Sequence, residues 1–321
     1  ALAACSSTPE EKLTSRPAWV EGTSQAYPLE RYIIGRGAAN TREVAADRAR
    51  TELAKTFRVR IDATSRDQQQ FERSSEQGKV SRKSALAIER SVRTETRNVL
   101  SGIEIADTWR DPDNGRYHVL ASLQRQRASL ALRRRIAELD RDTRARIEQA
   151  HASSDVFAML GAAARAVELQ RQRAALQRNL QVLDLNGHGV APTFSLARLE
   201  GDVRELKGKV SIEVRTRDAL LQGQISGPLG AAGFQTARDG ECRLEAELRL
   251  NDQGRRDEWH WYTGTLDLVV LAGDGSALGQ HRWRFKEAAT TAALTRQRLR
   301  TKVEQTLRHE LERTLLEFAG A

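Results

Sequence analysis

Leu2-Ala3-Ala4-Cys5-Ser6 is the stretch whose residue types and spacing carry a definite chemistry. A large aliphatic residue, two small residues and a cysteine form a bacterial lipobox. The small side chains give a signal peptidase access to the backbone just ahead of the cysteine. The thiol takes a diacylglycerol as a thioether, and the amine freed by cleavage is then acylated. Each buried CH₂ contributes about 0.8 kcal/mol, so several chains anchor a protein stably where one does not. Cys5 is therefore the expected lipid attachment, and the four residues before it read as the end of a secretory signal. An aspartate after the cysteine retains many such proteins in the inner membrane. Ser6 predicts sorting to the outer membrane, with the chain on its periplasmic face.

Other constellations are weaker. Gly35-Arg36-Gly37 lies between a strand signal and a helix signal, but a dinucleotide fingerprint needs a third glycine where Asn40 stands. Tight backbone packing is the better account of that glycine pair. The six histidines (His118, His151, His188, His260, His281 and His309) share no ligand spacing, and Cys242 has no neighbouring sulfur or imidazole. Cys242 opens an alternating apolar run with Leu244, Ala246, Leu248 and Leu250, which predicts a core position. There is no Gly-x-Ser-x-Gly elbow, and carboxylate pairs in so charged a chain read as exposed ion pairs. The expectation is no catalytic residue, no cofactor and no metal site. A hydrolase with a dispersed site is the remotest alternative.

Two features reach further. Glu258-Trp259-His260-Trp261-Tyr262 puts Trp259 and Trp261 on one face of a strand and Tyr262 on the other. Either an antiparallel sheet buries these aromatics, or Trp259 and Trp261 form a ligand surface for sugar or peptide. Arg133-Arg134-Arg135, Arg141, Arg144 and Arg146 make a basic stretch, but Glu138, Asp140, Asp142 and Glu148 interleave with it. That neutralisation argues against nucleic-acid binding. The chain of 321 residues carries a net charge of +9 and a pI near 10.0. This reads either as solvated basic faces or as contact with anionic envelope components.

The elements that must position these residues follow from pattern. Residues 1–29 read as lipobox and tether, with Pro17-Ala18-Trp19-Val20 able to dock an aromatic on the first domain. A domain over 30–126 opens with a strand at Arg31–Gly37 and a helix capped by Asn40-Thr41. That helix has Ala45, Ala49, Leu53 and Thr56 on one face. Phe57–Ile61 alternates as a strand does. Residues 65–90 are polar and undecided. A β signal returns over Ser91–Leu123, broken by the turn Asp111–Gly115. Two long apolar stripes over 127–187 predict an antiparallel helical hairpin acting as a stalk. Residues 192–321 predict β-α-β-β-β-α, with Asp218 as a helix cap and turns at Asn251–Gly254 and Gly273–Gly275. The expected fold class is α+β: two small domains of antiparallel sheet and helix joined by the hairpin.

The residues from Pro17 to Leu183 resemble the Lpp-twenty type of bacterial lipoproteins. The likeness rests on Pro17-Ala18-Trp19-Val20, Tyr32-Ile33-Ile34-Gly35-Arg36-Gly37-Ala38-Ala39 and the alanine-rich helix Ala45–Lys55. It continues through Leu100-Ser101-Gly102-Ile103, Trp109 and Asn114-Gly115-Arg116-Tyr117-His118-Val119-Leu120-Ala121. It implies a small α+β domain on an outer-membrane lipoprotein, flagellum-associated in some relatives, with no catalytic residues to carry over. The C-terminal part is similar, by pattern alone, to α+β domains of envelope proteins such as the TolB amino-terminal domain. The expected function is a non-enzymatic structural or binding component of the envelope. Its expected partners are the membrane, through the lipid, and other envelope proteins or peptidoglycan; the alternative is a module that binds peptidoglycan or another polysaccharide.

Overall fold

The computed structural model describes residues 15–22, 25–74 and 82–320, with side chains outside 64–83. The lipobox, Cys5 included, lies outside the described residues. The chain divides into two compact units: residues 1–140 with 170–195, and 141–169 with 196–321.

In the first unit, strands β1 (Tyr32–Ala39), β2 (Glu104–Arg110) and β3 (Tyr117–Gln124) form an antiparallel sheet in the order β1-β3-β2. A register shift between Ile105 and Asp107 breaks the β2–β3 ladder. The β2–β3 turn is the expected one: Asp111 accepts from the Asp113 amide at 2.9 Å and from Asn114 Nδ2 at 2.8 Å, and Gly115 has φ of 68°.

Helix α1 (Arg42–Ser74) corrects one expectation, because Phe57–Ile61 is helix rather than strand. Ala45, Ala49, Leu53, Phe57 and Ile61 recur every four residues and all are buried, whereas Val59 is 60% exposed. The local alternation was real, but the four-residue period extends over more turns and sets the face that packs. Helix α2 (Arg82–Leu100) corrects the β signal over Ser91–Val99 in the same way, with Ile88, Val92, Thr96 and Val99 inside.

Helices α3 (Arg125–Ala152) and α4 (Val156–Leu183) run antiparallel. Arg173 Nε meets Asp140 at 3.3 Å, and Arg133 meets Asp184 at 2.6 Å. The hairpin was expected as a separate segment, but the division into units cuts α3 after Asp140 and α4 after Leu169. Helix α4 is also buried around most of its circumference, as core helices are, rather than along one stripe.

The second unit contains α5 (Leu196–Lys209), β4 (Ser211–Arg215), α6 (Ala219–Ala232), β5 (Gln235–Thr236), β6 (Cys242–Arg256), β7 (Trp259–Ala272), β8 (Ala277–Ala289) and α7 (Ala292–Ala319). Its sheet order is β5-β4-β6-β7-β8. The expected all-antiparallel sheet is corrected: β4 runs parallel to both β5 and β6. Helix α6 carries the chain back along the sheet before the next strand starts, and such a crossover yields a parallel pair. Asp218 caps α6 by accepting from the Leu220 and Leu221 amides at 3.0 and 3.3 Å, and Gly233 closes the helix in the left-handed region.

The expected turn at Asn251–Gly254 is also corrected. Strand β6 continues to Arg256 through a bulge between Asp252 and Arg255, and Gly254 supplies the positive φ inside it. The chain reverses at Asp257–Glu258, with Asp257 at φ of 57°.

Candidate functional site

Trp259 and Trp261 lie at the start of β7, two residues apart, so both project from one face of the sheet about 7 Å apart along the strand. The opposite face of β7 carries Tyr262, Leu266, Leu268 and Val270, all buried. Tyr262 donates to Asp252 Oδ2 at 2.7 Å. The buried face of β8 meets α7, where Trp283 Nε1 donates to Glu310 at 2.9 Å. Trp259 and Trp261 therefore stand on the solvent face, Trp259 46% exposed and Trp261 half-buried. Burial of this pair in the core, one of the two expectations, is not what the sheet does with them. Tyr262 is the aromatic that goes inside.

Register defines the rest of that face. Arg256 is opposite Trp259, Ala288 is opposite Trp261, Lys286 is opposite Thr263, and Arg284 is opposite Thr265. Lys286 Nζ sits 4.6 Å from the Trp261 ring centroid, within cation–π range. Further along, Asp267 is bound by both Arg249 and Arg282. Those two guanidiniums, that of Arg282 foremost, hold the Asp267 carboxyl below the usual carboxylate range.

A carboxylate with a depressed folded-state pKa stabilises the fold above its unfolded pKa of about 4, and that contribution is lost as pH falls through the lower folded value. Asp267→Asn is expected to lower stability at neutral pH and to converge with wild type as pH falls below about 4, leaving a flatter acid limb. Urea midpoints measured across pH 2–7 check this.

Cys242 is buried, as its alternation predicted, and burial pushes its thiol pKa up to about 11. The thiol is therefore a core group rather than a nucleophile. Gly35 and Gly37 also behave as expected. A methyl on Gly37 would overlap the Ala45 carbonyl oxygen and the Ala49 amide, and one on Gly35 would overlap the Ala49 carbonyl and the Leu53 amide. Helix α1 lies directly on β1 at these two positions. Among the described residues no three His, Cys, Asp or Glu side chains group as a metal site.

The first unit holds a cavity of about 740 Å³ between β2, α2 and α3. Val99, Leu123, Leu132 and Leu176 line its floor, and Tyr27 and Tyr32 stack edge to face at one side. The Tyr27 hydroxyl is spent on the Ala106 carbonyl at 3.0 Å, and Arg127 at the rim pairs with Glu104 at 3.1 Å. Sequence reasoning missed this cavity, because α2 was hidden in a segment read as β.

Trp19 docks as expected. It is buried against Trp109 and Leu120, and its indole N–H donates to Asp107 Oδ2 at 2.8 Å. The segment from Pro17 to the end of β3 is thus one packed piece. Residues 17–124 match the family model described as LPP20 lipoprotein. The LPP20-matching region coincides with the three-stranded sheet, α1 and α2, together with the Trp19 clasp. A minor lipoprotein from Acinetobacter baumannii is 18% identical, and the match covers 33% of this chain and 89% of that one at a TM-score of 0.28. A secreted protein from Helicobacter pylori is 13% identical, covering 86% of this chain and 96% of that one at a TM-score of 0.44. No curated protein matches the chain by sequence.

Proposed function

We propose that this chain is a lipid-anchored lipoprotein of the bacterial envelope, attached through Cys5 to the periplasmic face of the outer membrane. It acts there as a non-enzymatic structural or binding component. The observation that carries the reading is the LPP20 lipoprotein match over residues 17–124. The lipobox at Leu2–Cys5 agrees with it, and Ser6 supports the outer rather than the inner membrane. In this reading the lipid holds the chain at the leaflet, and the two α+β units present surfaces to other envelope components.

Cells expressing the chain behind a complete secretory signal should incorporate radiolabelled palmitate into it. Cys5→Ala should abolish the label and move the protein from the membrane to the soluble fraction. Equal label in wild type and Cys5→Ala would overturn the proposal. Recovery of labelled protein in inner-membrane fractions would overturn the outer-membrane part alone.

A further inference from the structure

The solvent face of the second unit's sheet combines stacking surface with cations that form no ion pair, beside a turn that carries the exposed carboxylates Asp257 and Glu258. Two indoles project from β7, Trp259 exposed and Trp261 half-buried. Around them Arg256, Arg284 and Lys286 are exposed, and none forms an ion pair with a described residue. Arg249 and Arg282, on the same face, are by contrast committed to Asp267. The sheet thus divides into a neutralised half and a half whose cations form no such pair. Thr263 and Thr265 lie between the indoles and the neutralised half, adding hydroxyls without charge.

We propose that this end of the sheet is a binding face for an acidic glycan chain. Two indoles about 7 Å apart along the strand offer apolar platforms on which the faces of sugar rings can stack. A guanidinium is suited to bidentate capture of carboxylate or phosphate, and an ammonium supplies a further point charge. Lys286 over Trp261 keeps that ring's approach electropositive, which favours an anionic over a neutral sugar. A strand pair also presents a flat, open surface, which fits an extended polymer better than a small enclosed ligand. The face needs no lipid, so the inference stands or falls separately from the anchoring through Cys5.

The test is titration of the full chain with oligomers of polygalacturonate, read by tryptophan fluorescence and calorimetry. Oligomers of N-acetylglucosamine serve as the neutral counterpart. Binding to polygalacturonate is expected to be at least tenfold tighter and to weaken steadily with added salt, as exposed charges are screened. Trp259→Ala with Trp261→Ala, and separately Arg284→Gln with Lys286→Gln, should each reduce affinity tenfold or more. Circular dichroism on these surface variants checks that both remain folded. Wild-type affinity in either folded double variant would overturn the proposal. Equal affinity for the neutral oligomer would do the same. Tighter binding of duplex DNA or phosphatidylglycerol vesicles through the same residues would overturn the assignment to a glycan.

Discussion

Gly37→Val is expected to unfold the first α+β unit, a loss of more than about 3 kcal/mol. Extra atoms in a well-packed core typically cost about 1–3 kcal/mol, because side chains can turn aside. At Gly37 the obstructing atoms are the Ala45 carbonyl oxygen and the Ala49 amide, which belong to the backbone of α1. They cannot move without lifting the helix from the strand, and Leu53, Phe57 and Ile61 would lose their packing with it. Domain stabilities of about 5–15 kcal/mol leave little reserve for that. Hydrogen exchange resolved by mass spectrometry should show β1 and α1 losing protection while β6–β8 keep theirs. Gly208→Ala is the control. It adds a Cβ where nothing lies within 4 Å, inside α5, and should be neutral or stabilising by a few tenths of a kcal/mol or more. Comparable loss of protection from both substitutions would refute the close-approach argument.

Arg125→Met is expected to cost about 3 kcal/mol and to fray the end of α4. Arg125 is 8% exposed. Its guanidinium donates to the Leu29 carbonyl at 2.9 Å and to the Val182 and Leu183 carbonyls at 3.0 Å each. The last carbonyls of a helix have no partner within it, and a buried cation answers both their hydrogen bonds and the negative end of the helix dipole. Its own amide bonds Arg31, so one residue ties the lead-in to β1, the start of α3 and the end of α4 together. Methionine fills similar space but leaves three acceptors unanswered. Arg125→Lys should recover part of the loss, since an ammonium can serve some but not all of these carbonyls. Exchange rates of the final turn of α4 in the three proteins provide the comparison. Identical rates in wild type and Arg125→Met would show that the carbonyls are satisfied without the guanidinium.

The α+β class, the first sheet's strands, the Trp19 dock and the close approach at Gly35 and Gly37 were all legible because each is a local signal. A glycine pair facing Ala45 and Ala49 on the next helix has few other uses than backbone contact. Misreadings arose where two periods coexisted. Phe57, Val59 and Ile61 alternate, but Phe57 and Ile61 are also four apart, and only the continuing series from Ala45 decides for helix. Helix α5 was missed because its inner face mixes Leu199 and Val203 with Glu200 and Lys207, and the charge of Lys207 is answered by Glu312 on α7, far along the chain. At Gly254 the glycine signal was correct but marked a bulge instead of a turn.

The sequence by itself determined the chemistry available at Cys5, the strand that carries Trp259 and Trp261, and the apolar faces that pack α1, α6 and α7. These depend on residue type and short spacing, which a chain displays before it folds. Only the tertiary structure decided that β4 runs parallel to its neighbours, and that Arg249 and Arg282 are occupied while Arg284 and Lys286 are in no ion pair among the described residues. Those outcomes depend on strand register and crossover direction. Both are set by contacts between residues distant in sequence, and no local pattern encodes them.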